Sequence, residues 1–278
     1  MPSIILLRGG GDLATGVAIR LLRSGLRVIV TELIQPLAVR RTVSFAEAVY
    51  SGEISVEGVT ARRVDDPGDS LRTLGILAKQ QVPVLVDPGC TSAKTLHPAV
   101  IVDARMIKHP PEAIGYAPQL YIGLGPGFDA GLNCQAVIET RRGHTLGRAY
   151  WRGGSQPDTG QPDGDPVRVL RAPVGGILVT HVNIGDHVEK DQVIAEIVEE
   201  SHTAGNSPIT ILHSPLTGIL RGLLHSGLTI TRGLKIGDID PRDDPSLCRM
   251  VSDKALSVGG GVLEVILSRP EVRSQLWV

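Results

Sequence analysis

Short apolar runs recur along the first half of the chain, and segments with helical spacing separate several of them. The runs occupy residues 4–7, 28–32, 82–87, 100–103 and 120–124. Runs of this length predict strands buried on both faces, as in a mostly parallel sheet covered by helices. Between the first two runs, apolar residues at helical spacing predict a helix that ends at Ser24 and Gly25. We therefore predict a Rossmann-like α/β domain with a mostly parallel sheet.

The turn after the first predicted strand contains three consecutive glycines. Together with a small residue three positions later, they fit the G-x-G-x-x-G/A pattern, in which backbone approaches a pyrophosphate at a helix amino terminus. An acid at the end of the second predicted strand has the position that binds ribose hydroxyls in dinucleotide-binding domains. The residues predicted to bind a nucleotide-bearing cofactor here are Gly9, Gly10, Gly11, Asp12, Leu13, Ala14 and Glu32.

This pattern leaves alternatives open. Glu32 favours NAD over NADP, because a carboxylate disfavours a 2′-phosphate, whereas Arg40 and Arg41 downstream could reverse that preference. A carboxylate at Asp12 would repel a phosphate unless it points away from the turn or caps the helix, and the cap is the interpretation we favour for this residue. The glycines would then serve packing, or the turn would hold a different anionic ligand.

Two more loops follow predicted strands and are candidates for the same edge of the sheet. The first contains Asp87, Gly89 and Cys90, and the second contains Gly125, Pro126 and Gly127. We expect the second loop to contribute backbone contacts to the ligand, since open α/β sheets bind ligands at the carboxyl ends of their strands. For Cys90, a small buried apolar role is favoured over a reactive thiolate.

The second half of the chain contains an internal repeat. Residues 172–197 match residues 214–239 without a gap, and each copy reads as short strands around a turn at Gly185 or Gly227. One copy alone would bury too little surface, so the two copies should pack together. This logic resembles the biotinyl/lipoyl barrel-sandwich domain. Carrier domains of that type have a lysine between the halves, and residues 199–208 contain none, so covalent biotin or lipoate is not expected.

These patterns predict the domain organisation. Residues 153–166 are rich in Gly, Pro, Asp and Ser and read as a linker. A helical segment around the glycines at 259–261 is too short for a core of its own and should pack back on the first domain. The predicted parts are a Rossmann-like domain at 1–152, a linker at 153–166, a barrel-sandwich domain at 167–241 and a helical tail at 242–278.

Composition narrows the classes of function. Basic and acidic residues number 28 and 29, and aromatic residues make up 3% of the chain, so nucleic-acid binding is not expected. No apolar run approaches the roughly 20 residues that span a bilayer. The first apolar run also lacks the basic start and cleavage site of a signal peptide, so we predict a cytoplasmic protein. Three widely spaced cysteines favour reduced thiols, and five histidines in the repeat region lack the spacing of a metal site.

Six phrases, taken in order, resemble the YqeB-type family of accessory proteins for selenium-dependent molybdenum hydroxylases. They are RGGGDLATGVAIRLLRSG, IGLGPGFDAG, VIETRRGHTLGR, TGQPDG, LKIGDIDPR and SDKALSVGGGVLEVIL. The resemblance also implies kinship with XdhC-type chaperones. Residues that match these phrases are candidates only, because the resemblance carries no established catalytic residue: Gly9 to Gly11, Asp12, Gly125 to Gly127, Arg142, His144, Asp238, Asp240 and Lys254.

The resemblance implies maturation of a molybdenum hydroxylase, which would be the partner, with a molybdopterin dinucleotide as an alternative to NAD in the glycine turn. A second hypothesis is an NAD-dependent oxidoreductase, for which His144 and Lys254 are the proton-transfer groups we would name. A third is a non-catalytic scaffold whose turn is empty. For His144 a structural hydrogen bond, and for Arg142 a solvated or ion-paired side chain, is favoured over a ligand contact. Whether the protein is an enzyme, and whether it forms a homo-oligomer, stay open.

Overall fold

The computed structural model describes residues 3–160, 165–199 and 207–277. In it, the polypeptide passes more than once between two units. The first unit comprises Met1–Pro36, Val43–Thr159 and Val251–Val278, and the second comprises Leu37–Thr42 and Gly160–Met250. The predicted domain boundaries stay predictions, and they differ from these units in placing Leu37–Thr42 in the first domain. Parts of the predicted linker (161–164) and of the hairpin between the repeats (200–206, with His202) lie outside the described residues.

A nine-stranded sheet forms the centre of the first unit. The strands of this unit are β1 (Ile5–Arg8), β2 (Val28–Glu32), β3 (Glu53–Val56), β4 (Val59–Val64), β5 (Val82–Val86), β6 (Val100–Asp103), β7 (Leu120–Leu124), β8 (Asp129–Ala130), β9 (Ala136–Ile138), β10 (Ala149–Tyr150) and β11 (Gly153–Gly154). Their order across the sheet is β10-β9-β7-β6-β1-β2-β5-β4-β3, and β8 pairs separately with β11. Strands from β9 to β4 are parallel, whereas β10 and β3 join the two edges antiparallel.

Helices cover both faces of this sheet. They are α1 (Asp12–Arg23), α2 (Ala48–Ser51), α3 (Ser70–Ala78), α4 (Ala93–Leu96), α5 (Asp253–Leu267) and α6 (Pro270–Leu276), and 3-10 turns occur at Arg41–Val43, Phe45–Glu47, Pro166–Arg168 and Pro245–Cys248. Because side chains alternate along a strand, Ile5 and Leu7 pack with α1 and α5 while Leu6 packs with α3 and α4. Among the described helices, none has the length and apolar character needed to cross a membrane.

The glycines at 259–261 allow α5 to pack very closely on its neighbours. A Cβ at Gly259 would lie 2.9 Å from Cγ of Arg20 on α1, and one at Gly261 would lie 2.1 Å from the carbonyl oxygen of Gly147. Gly16 on α1 faces α5 in the same way, since a Cβ there would lie 2.5 Å from Cβ of Ala255. Small residues on both helices therefore permit the close contact between α1 and α5, and larger side chains would push the two helices apart.

The second unit consists of two four-stranded antiparallel sheets. Its strands are β12 (Val169–Arg171), β13 (Gly176–Thr180), β14 (His187–Val188), β15 (Val193–Val198), β16 (Ile209–His213), β17 (Gly218–Leu223), β18 (Thr229–Ile230) and β19 (Lys235–Asp240). The orders are β12-β19-β17-β14 and β16-β15-β13-β18. Each sheet therefore takes one short strand, β14 or β18, from the other copy of the repeat. Val188, Ile194 and Leu220 lie in the core that they share.

The segment Leu37–Thr42 completes the second unit. The N–H of Leu223 donates to the carbonyl of Val39 at 2.9 Å, and Nε of Arg41 donates to the carbonyl of Leu223 at 2.9 Å. Gly222 is needed at this contact, because a Cβ there would lie 2.7 Å from Cγ1 of Val39. The hydroxyl of Thr42 donates to the carbonyl of Cys248 at 2.6 Å.

The predicted fold class is corrected by this arrangement. The sequence predicted a Rossmann-like sheet with a barrel-sandwich domain, whereas the structure has a large mixed sheet and two separate antiparallel sheets, with no clear arrangement of the predicted kind. The five predicted runs do form β1, β2, β5, β6 and β7. The antiparallel edge strands were missed because they are short or only partly buried: β3 is mostly exposed and β10 has two residues.

The close packing of α1 and α5 predicts opposite effects for two glycine-to-alanine substitutions. Gly16→Ala should lower the free energy of unfolding by about 1–3 kcal/mol, because its Cβ meets Ala255. Gly260→Ala should raise it by about 0.5–1 kcal/mol, since a Cβ there meets nothing within 4 Å and alanine favours the helix. Urea unfolding of both variants and the wild type measures the difference, and equal effects of the two substitutions would contradict the packing described here.

Candidate functional site

The glycine turn between β1 and α1 is closely packed by other parts of the chain. Gly9 has a φ of +90°, which favours glycine, and a Cβ there would lie 3.2 Å from Cγ of Arg105. A Cβ at Gly10 would lie 2.9 Å from the backbone nitrogen of Ala46, whose N–H donates to the Gly10 carbonyl at 2.8 Å. Contacts within the protein therefore account for both glycines, while Gly11 faces open space.

Glu32 binds the turn that it was predicted to flank. The N–H of Gly10 donates to Oε2 of Glu32 at 2.6 Å, and the N–H of Leu33 donates to Oε1 at 2.7 Å. Burial raises the pKa of the Glu32 carboxyl, and these two hydrogen bonds oppose that shift only in part. The carboxylate thus accepts the hydrogen bond of the Gly10 N–H group, which a phosphate bound in the turn would need as a donor. The structure thus places the side chain of Glu32 in contact with the turn itself.

The other residues predicted at this turn have structural positions. Gly11 is the N-cap of α1 and Asp12 is its first residue, so the preferred interpretation of Asp12 as the cap is wrong. Leu13 and Ala14 are buried in the core. At the other predicted loop, Gly125 has a φ of +87°, Pro126 is half-buried, and a Cβ at Gly127 would lie 2.6 Å from the carbonyl oxygens of Ile107 and His109. At Gly127, where a ligand contact was predicted, the groups that approach the backbone closely therefore belong to the protein itself.

A cluster of charged side chains lies next to the turn, where β1 and β6 end. Arg8 and Asp103 are the last residues of these parallel neighbours and are paired in register. Nη1 of Arg8 donates to Oδ2 of Asp103 at 3.2 Å, and Arg105 donates to both oxygens of Asp103, at 2.8 and 2.7 Å. The hydroxyl of Tyr121 on β7 donates to the same Oδ2 at 2.9 Å and accepts from Arg8 at 3.1 Å.

Glu112 is the second carboxylate of this cluster. Nη2 of Arg8 and Nη1 of Arg105 both donate to its Oε1 at 2.6 Å, and its side chain is 54% exposed. Asp103, by contrast, is fully buried. We call the five residues Arg8, Asp103, Arg105, Glu112 and Tyr121 the arginine cluster.

The charges of the arginine cluster reinforce one another. The hydrogen bond from Arg105, more than any other influence, lowers the pKa of Glu112 to about 2. Although burial opposes it, the charge of Asp103 raises the pKa of Arg8, and hydrogen bonds to Asp103 and Glu112 raise that of Arg105. Burial, together with the Asp103 charge, raises the pKa of Tyr121 above its ordinary range. The arginines therefore stay charged and the tyrosine stays neutral over the whole physiological range of pH.

A cavity of about 580 Å³ opens beside the cluster. Its volume lies within the range of small-molecule sites, which is roughly 300–1,000 Å³. It is lined by Pro111, Glu112, Ala113, Ile114, Gly115, Tyr116, Ala117, Pro118, Tyr121, Asn133 and Gln135. Glu112 and Tyr121 belong to both the cavity and the arginine cluster, so the charged groups form part of its boundary.

Cys90 and Asp87 follow β5 on the same face of the sheet as Arg8. Cys90 is fully buried, and burial raises the pKa of its thiol to about 11, against the charge of Arg8 and a hydrogen bond with Thr31. The buried apolar role predicted for Cys90 agrees with this placement, since a thiol of that pKa is protonated at neutral pH. The Asp87 carboxylate accepts from the N–H groups of Thr91 and Ser92, at 2.9 and 2.8 Å, and so holds its own loop.

The remaining candidates are not members of the arginine cluster. Arg142 makes two hydrogen bonds to Asp253, at 2.7 and 2.9 Å, as the ion-paired interpretation expects. His144 is exposed, and Lys254 lies in the first turn of α5. In the second unit, Asp238 pairs with Arg168, Arg221 and Lys235, and Asp240 pairs with Arg221 and Arg242.

Sequence reasoning missed every member of the arginine cluster. The signal that could have found it is an arginine that ends an otherwise apolar buried strand, ILLR, together with the VDAR sequence at the end of β6. Buried strands rarely hold a charge without a partner from another strand. Among the described residues, no group of three or more His, Cys, Asp or Glu side chains could hold a metal ion.

Comparison with known proteins identifies a relative by sequence. The chain is 42% identical over 268 residues to a protein named "Uncharacterized protein YqeB" from Escherichia coli (strain K12). It is similar to YqeB over 95% of its own length. It spans 47% of the length of that protein. No family model matches the chain. The name of the relative shows no link to selenium or molybdenum.

Solved structures give only distant matches. The ectoine utilization protein EutE (DoeB) from Ruegeria pomeroyi is 11% identical with a TM-score of 0.27, and the match covers 86% of this chain and 85% of that one. A succinylglutamate desuccinylase/aspartoacylase from Rhodobacter sphaeroides is 11% identical with a TM-score of 0.28, and the match covers 86% and 85%. Such scores carry no argument about the fold or the mechanism of this chain.

The predicted function is corrected here. The name of the relative and the names of the matched structures mention no molybdenum, selenium or nicotinamide cofactor. Moreover, the turn predicted to hold a nucleotide phosphate has its Gly10 amide bonded to Glu32. Hydroxylase maturation, NAD-dependent oxidoreduction and a scaffold with an empty Rossmann-like turn are therefore set aside. The expected cofactor and partners stay predictions.

The buried carboxylate at the turn predicts a pH dependence of stability. Because the pKa of Glu32 is raised in the folded protein, folding is favoured when this group is protonated. Its contribution is fully present below the unfolded pKa of about 4.5 and is lost as the pH rises through the folded pKa. Urea unfolding between pH 4 and pH 8 should therefore show the wild type losing stability relative to Glu32→Gln as the pH rises.

The control is Glu264→Gln, which changes an exposed carboxylate on α5. That variant makes the same change of carboxylate to amide outside the glycine turn. A difference between wild type and Glu32→Gln that stays constant, or grows in favour of the wild type as the pH rises, would contradict the raised pKa.

Proposed function

We propose that the first unit binds a small anionic ligand, one that bears a carboxylate or a phosphate, at the arginine cluster. A single observation carries this proposal: Arg8 and Arg105 donate to the same oxygen of Glu112, a carboxylate that is 54% exposed and comes from a loop. An oxygen held by two guanidinium groups is the arrangement that proteins use to recognise anions. Glu112 fills the position of such an oxygen from within the chain.

The balance of charge supports an exchange between Glu112 and a ligand. Asp103 is fully buried and neutralises one of the two arginines, so the second arginine needs a further negative charge. Glu112 supplies that charge from the solvent-exposed side of the cluster. A ligand carboxylate or phosphate arriving from the cavity would supply it equally well, because the two donors remain where Asp103 holds them.

The loop that carries Glu112 has no regular structure to lose. It runs from the end of β6 at Asp103 to the start of β7 at Leu120 and contains neither helix nor strand. Pro110, Pro111 and Pro118 lie within it. Displacing Glu112 therefore breaks its ion pairs without breaking a backbone ladder. The residues around Glu112 form walls of the 580 Å³ cavity. The space that a ligand would fill therefore lies next to the carboxylate that it would replace.

The position in the sheet agrees with a binding role. From β1 the chain continues to β2 on one side, whereas β6 lies on the other side, so the strand order reverses at this pair. Open α/β sheets bind ligands at the carboxyl ends of the strands where the order reverses. Arg8 and Asp103 are the residues that end these two strands. We assign binding to the site and no catalytic step.

Calorimetric titration with succinate, citrate and inorganic phosphate tests the proposal. Glu112→Gln removes the internal competitor, so at least one of these anions should bind about tenfold more tightly, which corresponds to about 1.4 kcal/mol. Arg105→Gln removes donors to the ligand and should weaken binding by about tenfold or more. The matched control is Arg142→Gln, which removes an arginine paired with Asp253 away from the cluster and should bind like the wild type.

Two outcomes would end the proposal. One is that neither the wild type nor Glu112→Gln binds any of the three anions at millimolar concentration while circular dichroism shows both folded. The other is that Arg105→Gln and Arg142→Gln weaken binding equally, since that would place the anion on general surface charge.

A further inference from the structure

The cavity of about 580 Å³ beside the arginine cluster has few polar side chains in its wall. Besides Glu112 and Tyr121, which belong to the cluster, they are those of Tyr116, Asn133 and Gln135. The hydrogen bonds of these three side chains show which of them still has a donor or an acceptor to offer to a ligand. The inference below rests on the proposed function, because it concerns the part of the ligand that lies beyond the arginines.

Two of the three side chains are bonded within the protein. The hydroxyl of Tyr116 donates to the carbonyl of Pro98 at 3.0 Å. Oδ1 of Asn133 accepts from the N–H of Asp129 at 2.9 Å, and Nδ2 donates to the carbonyl of Gly127 at 3.3 Å. These hydrogen bonds give Tyr116 and Asn133 structural roles in the wall.

Gln135 is bonded through only one end of its side-chain amide. Its Oε1 accepts from the N–H of Tyr121 at 2.7 Å, and its own backbone N–H donates to the carbonyl of Tyr121 at 3.0 Å. The bond to Oε1 fixes the orientation of the amide, because a nitrogen in that place would face another donor. Gln135 is exposed, and among the described residues no group accepts a hydrogen bond from its Nε2.

Tyr121 connects this amide with the arginine cluster. Its hydroxyl accepts from Arg8 and donates to Asp103, whereas its backbone N–H donates to Gln135. The length of one tyrosine side chain therefore sets the separation between the guanidinium groups and the N–H groups of Nε2. Because an extended chain gains roughly 1.2 Å per bond, a ligand that reaches both needs about five bonds between its two polar ends.

The wall offers no positive charge to a second anionic group. Among the described residues that line the cavity, none is Lys, Arg or His, and the remaining side chains are apolar. Lys94 is not a lining residue, although its Nζ would lie 2.9 Å from a Cβ at Gly115. A charge that leaves water without a partner costs more free energy than a neutral carbonyl that gains a hydrogen bond.

We propose that the ligand is a monoanion with an apolar middle and a neutral carbonyl oxygen about five bonds from its anionic group, and that Gln135 selects it. The anionic group replaces Glu112 on Arg8 and Arg105, and the carbonyl oxygen accepts from Nε2 of Gln135. An acid of about ten non-hydrogen atoms fits within 580 Å³, since water itself takes about 30 Å³ per molecule.

Calorimetric titration of the full chain with 6-oxoheptanoate, 6-methylheptanoate and adipate tests the inference. The three acids have nearly the same length and differ in the group at the far end, which is a carbonyl, a hydrocarbon or a second carboxylate. The wild type should bind 6-oxoheptanoate about fivefold more tightly than either of the others, because only its far end gains a hydrogen bond without burying a charge.

Two variants of Gln135 remove the donor. Gln135→Glu keeps the oxygen that accepts from Tyr121, and Gln135→Met adds no charge. Since a new charge at this position weakens every acid, the measured quantity is the ratio of the affinities for 6-oxoheptanoate and 6-methylheptanoate. This ratio should fall from about five to about one in both variants. The matched control is Gln275→Met, which changes a glutamine on α6 that does not line the cavity and should keep the ratio.

Failure of this inference differs from failure of the proposed function. If neither the wild type nor Glu112→Gln binds any of the three acids at millimolar concentration, both are wrong. If the acids bind and Arg105→Gln weakens all of them, but the two heptanoates bind equally to the wild type, anion binding stands and the role of Gln135 is overturned. Tighter binding of adipate than of 6-oxoheptanoate, lost in Lys94→Gln, would also overturn the inference, because a charge would then pair with the far end.

Discussion

The pairing of Arg8 with Asp103 is the interaction on which the first unit depends. Arg8 is 1% exposed in the central region of the sheet, and a guanidinium there is tolerable only with a carboxylate beside it. The parallel register places Asp103 directly across from it on β6, and Tyr121 reaches the same carboxylate from β7. One buried carboxylate thus joins three neighbouring strands. Arg105, in the loop that follows β6, donates to both oxygens of Asp103. The pair of Arg8 and Asp103 therefore also brings together the hydrogen-bond donors of the candidate site.

The carboxylates of Glu32 and Glu112 both occupy positions that would suit a bound anion, but their surroundings differ. Glu32 is anchored at the end of a strand, accepts two backbone N–H groups, and has its pKa raised by burial. Glu112 is half-exposed on an irregular loop, and its pKa is lowered by Arg105. The first is part of the fold, because its carboxylate accepts from the Gly10 amide inside the turn. The second pairs with Arg8 and Arg105 from an irregular loop, and in our proposal it is the group that a ligand replaces.

The sequence predicted features set by local pattern and missed those set by distant pairing. Buried parallel strands read as continuous apolar runs, so β1, β2, β5, β6 and β7 were found, whereas the partly buried β3 and the two-residue β10 left no such pattern. The glycine turn was located correctly. The spacing of Glu32 could not reveal that its carboxylate points back to the turn, which reverses its expected role. The arginine cluster joins residues up to 113 positions apart, and no short motif marks it.

The segment Leu37–Thr42 determines what counts as a complete module in this chain. The second unit takes a backbone partner for Leu223 from Val39, and Gly222 is shaped to receive that residue. A fragment that begins at residue 160 would contain every strand of the two antiparallel sheets and still lack this partner. The repeat region is therefore not portable as one continuous piece. Any transplant or recombination that preserves its edges must carry along a hexapeptide encoded more than a hundred residues upstream.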